Sequence, residues 1–298
     1  MRDEIRKLQE LMEAADYVTD APVATSVYLA MRLRKPLLIE GPAGVGKTEV
    51  AKVMARMLGT NLIRLQCYEG LDASTALYEW NYQKQLLHIK LDETARNNRP
   101  IGEKEHEIFS EPFLLRRPLL QAITQESQAP VLLVDEVDRV DEEFEAFMLE
   151  VFSEWQITIP EIGTIKATHA PHVVLTSNRT RELSDALRRR CLYLWIDYPT
   201  LEKEIRIIER KVPGVNARLT REVAKFMETL RDVRLAKVPG VAETLDWAQA
   251  LVSLHADHID EDLVNETLGC FLKDADDLKR FRAEVTKAGL APFLPARG

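Results

Sequence analysis

The sequence predicts an α/β fold, a three-layer αβα core with a parallel sheet, followed by an all-helical domain. Short apolar segments alternate with helical patterns over the first two-thirds of the chain, as in a parallel sheet covered by helices. After Tyr198-Pro199-Thr200 only helical patterns follow. The chain of 298 residues also exceeds the usual size of one domain. We therefore expect an α/β domain over 1–199 and a helical domain over 200–298.

Five apolar segments have the length of buried strands. They are Pro36 to Glu40, Asn61 to Gln66, Val131 to Val134, His172 to Ser177 and Leu192 to Ile196. Helices are expected at Lys47 to Leu58 and at Asp141 to Glu154, where apolar residues recur at helical spacing. The N-terminus, Met1 to Glu13, has the pattern of an amphipathic helix. The polar stretch from Ala95 to Pro112 is predicted to be an exposed loop.

The composition, with 46% hydrophobic and 30% charged residues, fits an ordinary globular protein and neither a disordered nor a membrane class. No apolar run approaches the roughly 20 residues that cross a bilayer. The N-terminus lacks the apolar stretch of a secretory signal, so we expect a cytoplasmic protein without a membrane span. Cys67, Cys191 and Cys270 are odd in number and widely spaced, which favours reduced thiols over disulfides or a zinc site. The net charge of -8 makes nucleic acid an unlikely partner.

A phosphate-binding loop is predicted where the first strand meets its helix. Gly41-Pro-Ala-Gly-Val-Gly-Lys47-Thr48 matches the spacing of that motif. Its glycines let main-chain N–H groups turn toward phosphate, Lys47 can reach the β and γ oxygens, and Thr48 can ligate Mg²⁺. The alternative is a glycine-rich turn that only packs, but the strand and helix context argues against it. The expected nucleotide-binding residues are Gly41, Pro42, Ala43, Gly44, Val45, Gly46, Lys47, Thr48, Glu49 and Asp135.

Two carboxylates follow the apolar strand at 131–134, and strand ends are where ligands sit in an open α/β sheet. Adjacent side chains diverge, so Asp135 and Glu136 can do different work. Asp135 would hold Mg²⁺ through water, and Glu136 would polarise the water that attacks a γ-phosphate. Alternatively, the two carboxylates only mark the point where the strand enters a charged turn. Its position downstream of a phosphate loop favours the functional interpretation, with ATP and Mg²⁺ as cofactors.

Two further polar features end the α/β region. Asn178 follows a buried strand and can orient the lytic water, although a terminal Asn is also a common turn residue. Arg188, Arg189 and Arg190 precede the last strand. Consecutive arginines usually form a solvated face, but one guanidinium at a subunit edge can neutralise charge on a neighbour's γ-phosphate.

In this order the motifs resemble an AAA+ ATPase, and specifically the MoxR group. The resemblance implies that Lys47 is catalytic as the phosphate-loop lysine, that Asp135 and Glu136 form the Walker B pair, and that Asn178 is the sensor. It also implies that Arg190, followed by Cys191, is the arginine finger. A helical lid, a homo-oligomeric ring, expected to be a hexamer, and a protein client that is remodelled come with the family. The chain departs from the pattern at Ala242, where the family often carries a second sensor arginine.

The branch within that group is predicted from two insertions. The segment from Glu154 to Lys166 is similar to a hairpin that MoxR proteins insert, and Tyr68 to Leu87 resembles the CoxD branch. That branch matures carbon monoxide dehydrogenase, which implies an apo-metalloenzyme client and a partner with a metal-ion-binding adhesion-type, von Willebrand A-like, domain. We expect Trp80, Tyr82 and Ile162 to be exposed and to grip the client. Alternatively, the aromatics only pack the insert against the core.

Two other functions use much the same motifs. A nucleic-acid motor or clamp loader would show salt-dependent DNA binding, although the acidic balance argues against it. A nucleotide-regulated scaffold would bind ATP without useful turnover, and the departure at Ala242 keeps this alternative open. Steady-state hydrolysis separates the scaffold from a motor.

Overall fold

The computed structural model describes residues 2–94 and 100–295. The strands are β1 Leu37–Glu40, β2 Leu62–Gln66, β3 Tyr78–Trp80, β4 Leu114–Arg116, β5 Val131–Asp135, β6 Gln156–Ile159, β7 Gly163–Lys166, β8 His172–Ser177 and β9 Leu192–Trp195. The helices of the first half are α1 Arg2–Ala14, α2 Ala21–Leu33, α3 Lys47–Leu58, α4 Ala73–Leu77, α5 Tyr82–Thr94, α6 Ile101–Ile108 and α7 Pro118–Ile123. The later helices are α8 Glu142–Glu154, α9 Asp185–Arg190, α10 Leu201–Lys211, α11 Ala217–Asp232, α12 Val241–Ser253, α13 Glu261–Phe271 and α14 Ala275–Ala288.

In the described chain, a five-stranded sheet has the order β2-β5-β8-β1-β9. The pairs β2–β5, β5–β8 and β8–β1 are parallel. Every residue of β1 and β5 is buried, which explains why both strands are apolar up to their last residue. All five predicted strands are present, and only helices and short 3₁₀ turns follow β9 in the described residues, so the predicted fold class is confirmed. Because parallel strands run the same way, β1, β5 and β8 end at one edge of the sheet.

By packing, the chain divides into two compact units. We call Met1–Ala24, Gly41–Val53 and Trp195–Gly298 the helical unit, and Thr25–Glu40 and Met54–Leu194 the sheet unit. The domain boundary at 199/200 stays a prediction.

Each unit has its own hydrophobic core. In the sheet unit, the buried face of α8 and the strands form one cluster, to which Phe144, Met148 and Phe152 contribute. In the helical unit, Phe226 is surrounded by four aromatic rings at centroid distances of 4.7 to 5.8 Å. Large aromatic side chains bury enough apolar area to stabilise such a small helical core.

The prediction of a loop from Ala95 to Pro112 is wrong for residues 100–112. Residues 95–99 lie outside the described residues. Helix α6 and a 3₁₀ turn at Glu111–Phe113 occupy this stretch. Phe113 is only 5% exposed, and Gln85 Nε2 on α5 donates to the Ile108 carbonyl at 2.7 Å. Tertiary packing therefore stabilises a short helix that the polar composition alone does not predict.

The expectation that Trp80 is exposed is also wrong. Trp80 instead packs against the core of the sheet unit, which was the alternative. Trp80 is 7% exposed and contacts the rings of Phe109 and Tyr78 edge-on at 5.2 and 6.2 Å. Ile162 is half-buried against the core of the sheet unit. Tyr82 alone of the three is well exposed, at 61%. The hairpin predicted before the Asn178-bearing strand is present, as antiparallel β6 and β7.

The cysteines are free thiols. Burial raises the pKa of Cys67 to about 12, with further contributions from Asp135, Asp138 and Glu136. Burial likewise raises the pKa of Cys191 to about 12. Within the described residues, no helix is long and apolar enough to span a membrane, and no group of three or more His, Cys, Asp or Glu side chains is arranged to hold a metal.

Candidate nucleotide site

The predicted phosphate-binding loop connects β1 to α3, which begins at Lys47. Its main chain is tightly packed within the helical unit. A β-carbon on Gly41 would lie 1.9 Å from the carbonyl oxygen of Ile196, so only glycine fits there. Gly44 has a φ of 76°, a conformation that glycine adopts without strain. The loop therefore has the conformation that its glycines predict.

The ammonium group of Lys47 is folded into the loop. Its Nζ donates to the carbonyl oxygens of Gly41 at 2.8 Å and Pro42 at 2.6 Å, and the residue is 7% exposed. It stands at the N-terminus of α3, where unpaired N–H groups and the helix dipole favour anions. The Lys47 ammonium group and the N-terminus of α3 both attract negative charge, so the loop is suited to bind a phosphate group. Thr48 and Glu49 follow in the first turn of α3, half-buried, and Glu49 lies 3.2 Å from Lys52.

The start of α12 packs directly on the phosphate-binding loop, within the helical unit. The N–H of Ala242 donates to the Gly44 carbonyl at 3.2 Å. A β-carbon on Gly240 would lie 2.7 Å from both the Ala43 carbonyl oxygen and the Gly44 Cα. The position where the resemblance calls for a sensor arginine therefore makes a main-chain contact here.

In the sheet unit, Asp135 ends β5 with its side chain 5% exposed. Its carboxylate is held on both sides. The Thr176 hydroxyl of β8 donates to Oδ1 at 2.5 Å, and Arg64 of β2 donates to Oδ2 from Nε at 3.0 Å and Nη2 at 2.5 Å. Donors on the two neighbouring strands thus fix the orientation of this carboxylate. Mg²⁺ prefers oxygen ligands in proteins, and the Asp135 carboxylate is a group of that kind.

Glu136 turns away from Asp135 because its backbone is left-handed, with φ 58° and ψ 48°. Its N–H donates to the Thr176 hydroxyl oxygen at 3.0 Å. The side chain is 37% exposed, and its carboxylate lies 3.5 Å from Arg139 Nε. A non-glycine residue in this conformation costs roughly 1–2 kcal/mol, and such strain often marks functional sites. One carboxylate of the pair is therefore buried and oriented, while the other remains accessible to solvent.

Asp138 connects the ends of β5 and β8. Its Oδ2 accepts the N–H groups of Asn178 at 3.2 Å and Thr180 at 2.8 Å, and the Thr180 hydroxyl at 2.7 Å. Burial by itself raises the pKa of Asp138, but the hydrogen bonds from Thr180 and Asn178 outweigh it and lower that pKa. The carboxylate therefore stays ionised and holds the main chain of Asn178, which follows β8.

The three consecutive arginines of α9 have different surroundings. Arg188 Nη2 donates to the buried Glu40 carboxylate, at 3.2 and 3.3 Å from its two oxygens. Arg189 lies 3.7 Å from Asp185, and both side chains are more than 80% exposed. Arg190 is exposed at the end of the helix, and in the part of the chain that the structure describes no ion pair engages it.

Sequence reasoning missed several polar residues that shape this edge: Glu40, Arg64, Asp138 and Thr176. Arg64 could have been predicted, because polar residues alternate with buried ones along β2. Residues two apart in a strand share a face of the sheet, so Arg64 lies on the same face as Asp135 at the end of β5. Glu40 was detectable as a charged residue in an otherwise apolar strand. It is 1% exposed and accepts hydrogen bonds from Arg188 and from the Tyr193 hydroxyl at 3.1 Å. Burial, and then this bond to Glu40, raise the pKa of Tyr193.

The model of the AAA domain, dynein-related subfamily, matches residues 36–191, which is just over half of the chain. The chain therefore belongs to this family of AAA+ proteins. Membership implies ATPase activity in general, with ATP and typically Mg²⁺ as ligands, and assembly into oligomers. The match extends from β1 through α9, so it includes the phosphate-binding loop and the carboxylates of β5.

Relatives include uncharacterised proteins of Staphylococcus epidermidis and Staphylococcus aureus, which are 23% and 24% identical over 242 residues. The alignments cover 79% of this chain and 82% of each relative. Among solved structures, the chain is similar to the Holliday junction branch migration motor RuvB of Thermotoga maritima, at 19% identity and a TM-score of 0.48. That alignment covers 90% of this chain and 74% of RuvB, and a point mutant of the same motor gives a TM-score of 0.49.

Proposed function

We propose that this chain hydrolyses ATP in a homo-oligomeric ring and uses the energy to remodel a protein client. The observation that supports the proposal most is that the adjacent carboxylates Asp135 and Glu136 have different surroundings. One carboxylate is oriented by donors on both neighbouring strands, and the next is accessible and left-handed. A metal-orienting acid beside a general base is what ATP hydrolysis requires.

In this proposal, Lys47 and the N–H groups at the start of α3 bind the phosphates. Thr48 and Asp135 would each supply an oxygen ligand to Mg²⁺, which would neutralise negative charge on the phosphate oxygens. Glu136 accepts a proton from the attacking water, and Asn178 orients that water. The contact of the Asn178 N–H with Asp138 supports this role, because it fixes the chain that presents the amide.

Glu136→Gln tests the proposed base. The amide fills the same volume but cannot accept the proton, so Mg²⁺-ATP binding should persist while steady-state hydrolysis is nearly abolished. Lys47→Ala should instead lose nucleotide affinity, because it removes the charge that contacts the phosphates. Binding is measured by calorimetry and turnover by phosphate release. A Glu136→Gln protein that hydrolyses ATP as fast as the parent would exclude Glu136 as the base.

We propose that Arg190 acts in trans on the neighbouring subunit's γ-phosphate. Its neighbours support this choice, since Arg188 is engaged by buried Glu40 and Arg189 pairs with Asp185 along the helix. Arg190→Ala should bind ATP yet lose on the order of a thousandfold in turnover, while Arg189→Ala, the matched control, stays near the parent rate. Mixed rings of Arg190→Ala and Glu136→Gln subunits should recover some activity. Assembled mixed rings without any recovery would exclude action in trans.

For the client, we propose an apo-metalloenzyme that is opened for cofactor assembly, directly or through an adhesion-type-domain partner, as the MoxR and CoxD resemblances imply. Helix α5, in the CoxD-like insertion and just beyond it, supports a protein-binding role. It exposes Tyr82, Leu86, Leu87 and Leu91 at 58 to 61%, and exposed apolar surface of this kind is typical of interaction sites.

Gene deletion tests this role in cells. It should leave a metalloenzyme inactive, and the parent gene should restore it while Glu136→Gln should not. If every metalloenzyme stays fully active after deletion, maturation is not the function, although the ATPase proposal stands. Salt-dependent DNA binding by the purified ring would instead favour a nucleic-acid motor.

A further inference from the structure

A cavity of about 190 Å³ lies in the sheet unit, at the edge where the strands begin. It is bounded by the end of α2, by Pro36 before β1, by Ala129 before β5, and by residues 168–173 leading into β8. This edge is opposite to the one at which β5 presents Asp135. Within the sheet unit, the cavity is therefore separate from Asp135, Glu136 and Asn178, which lie at or just beyond the ends of β5 and β8.

The polar lining of this cavity is basic. Arg34, Lys35, His169 and His172 contribute to it, and no acidic side chain is among the lining residues that the structure describes. This grouping does not follow from composition, because the chain carries a net charge of -8. Burial, and then the positive charge of Arg34, lower the pKa of His172. Basic groups that disfavour one another's charge are stabilised when an anion lies among them.

Two lining residues have a main-chain conformation that glycine usually provides. Arg34 directly follows α2 with φ 52°, and Trp155 directly follows α8 with φ 51° and ψ 42°. A left-handed residue after a helix is most often glycine, which adopts it without strain. Here an arginine and a tryptophan take these places, and both line one cavity. Strain retained in this way is typical of a ligand site.

The size of the cavity limits its ligand. At about 190 Å³, it is smaller than the roughly 300–1,000 Å³ of pockets for drug-sized molecules. It is nevertheless far above the roughly 10–15 Å³ that a cavity needs to hold one water molecule. A small ion with a few oxygens fits this volume, and the planar guanidinium of an arginine pairs with such oxyanions through two parallel hydrogen bonds.

We infer that this cavity binds a small oxyanion of the phosphate class, with Arg34 and His172 as donors and Trp155 as an apolar wall. The site is independent of the proposed ATPase function. An anion here would bridge the end of α2 and the segment between β7 and β8. It would thereby stabilise the base of the β6–β7 hairpin, which Trp155 precedes directly.

The experiment uses the full chain with Lys47→Ala, so that the phosphate-binding loop contributes nothing, or the parent chain saturated with ADP. Inorganic phosphate is titrated by calorimetry and by tryptophan fluorescence, and Trp155→Phe should remove the fluorescence change. Arg34→Gly should weaken phosphate binding at least about tenfold, as expected for a lost charged hydrogen bond. Arg32→Gln, which removes the same charge from an exposed position of α2 outside the cavity, should change the affinity less than about twofold.

Thermal unfolding separates binding from a structural role. Glycine relieves the left-handed strain at position 34, so without phosphate Arg34→Gly should leave Tm unchanged or raise it by roughly 2–4 °C. A role in folding alone predicts a lower Tm instead. The inference is overturned if the Lys47→Ala chain binds no phosphate at about 10 mM. It is equally overturned if Arg34→Gly and Arg32→Gln weaken binding to the same extent.

Discussion

Two buried carboxylates, one in each unit, differ in how fully they are hydrogen-bonded. In the helical unit, Glu204 is fully buried, and Arg231 donates to both of its oxygens at 2.6 Å. The Thr244 hydroxyl donates to the same carboxylate at 2.7 Å. In the sheet unit, Asp138 is 3% exposed, and only its Oδ2 is hydrogen-bonded, since Oδ1 has no partner among the described residues.

The difference between these two carboxylates matches their places in the fold. The Glu204 network joins α10, α11 and α12, and Arg231 also donates to the Pro239 carbonyl at 3.0 Å, just before α12. Buried polar groups satisfied on every side specify a fold. At the sheet edge, an oxygen without a partner and a left-handed Glu136 are tolerated in the described structure. Unsatisfied or strained groups of this kind persist where function requires them.

The largest effect on stability is expected for Arg231→Ala. It leaves the Glu204 carboxylate buried and uncompensated, which costs about 3–5 kcal/mol in the free energy of unfolding. Denaturant unfolding of the helical unit measures it. Lys279→Ala is the matched control, because the Lys279–Asp276 pair at 2.9 Å is exposed on both sides and should contribute less than about 1 kcal/mol. Equal losses in the two variants would show that the buried network is not special.

A smaller effect is expected for Asp138→Ala, at roughly 1–3 kcal/mol for the unsatisfied N–H groups it leaves. Hydrolysis should fall as well, because Asn178 loses its anchor. Asp138→Asn is the informative partner variant. Its amide oxygen can replace Oδ2, and its NH₂ replaces the oxygen that has no partner among the described residues, so its cost should stay below about 1 kcal/mol. If Asn is as destabilising as Ala, the negative charge itself is needed for folding.

The sequence predicts β1, β5 and β8 well because these strands are buried almost throughout, which produces apolar segments such as that before Asp135. It predicts the phosphate-binding loop because glycine spacing and main-chain conformation are local. Asp138 was missed because its contacts with Asn178 and Thr180 depend on the register of two strands that are far apart in sequence. The left-handed backbone of Glu136 was missed because no residue type that favours it stands there.

The insertion was harder to predict than the core. Trp80 was expected to be exposed because aromatic residues serve both interfaces and cores, and nothing in the local sequence separates the two uses. Its partner Phe109 lies beyond α6, a helix whose polar composition resembles a loop. Burial in such a segment depends on contacts between distant residues, so only the folded chain reveals it.

A smaller effect is expected from acid, which protonates the buried carboxylate of Asp277 in the helical unit. Burial opposes ionisation of Asp277, but the N–H groups of Ala236 and Lys237, and then Arg280, lower its pKa. A lowered pKa in the folded state stabilises the protein above the unfolded value of about 3.9, and this contribution is lost as the pH falls through the folded value. The free energy of unfolding measured against pH should therefore fall less steeply in Asp277→Asn, by at most about 1.4 kcal/mol per pH unit. Identical slopes would show that Asp277 titrates alike in the folded and unfolded chain.

The smallest effect on stability concerns α5, whose burial is inverted relative to an ordinary surface helix. Gln85 is 4% exposed and donates to the Ile108 carbonyl at 2.7 Å, whereas Leu87 and Leu91 are 58% and 61% exposed. We therefore expect Leu87→Gln to change the free energy of unfolding by less than about 0.5 kcal/mol. Gln85→Ala, the matched control on the same helix, should cost about 1 kcal/mol, because it leaves the Ile108 carbonyl without its donor. Exposed apolar side chains of this kind are typical of interaction sites, which supports the proposed role of α5 in binding a client. Leu87→Gln should thus leave basal ATPase unchanged and abolish its stimulation by a client. A loss of stability larger for Leu87→Gln than for Gln85→Ala would show instead that the leucines pack within the fold.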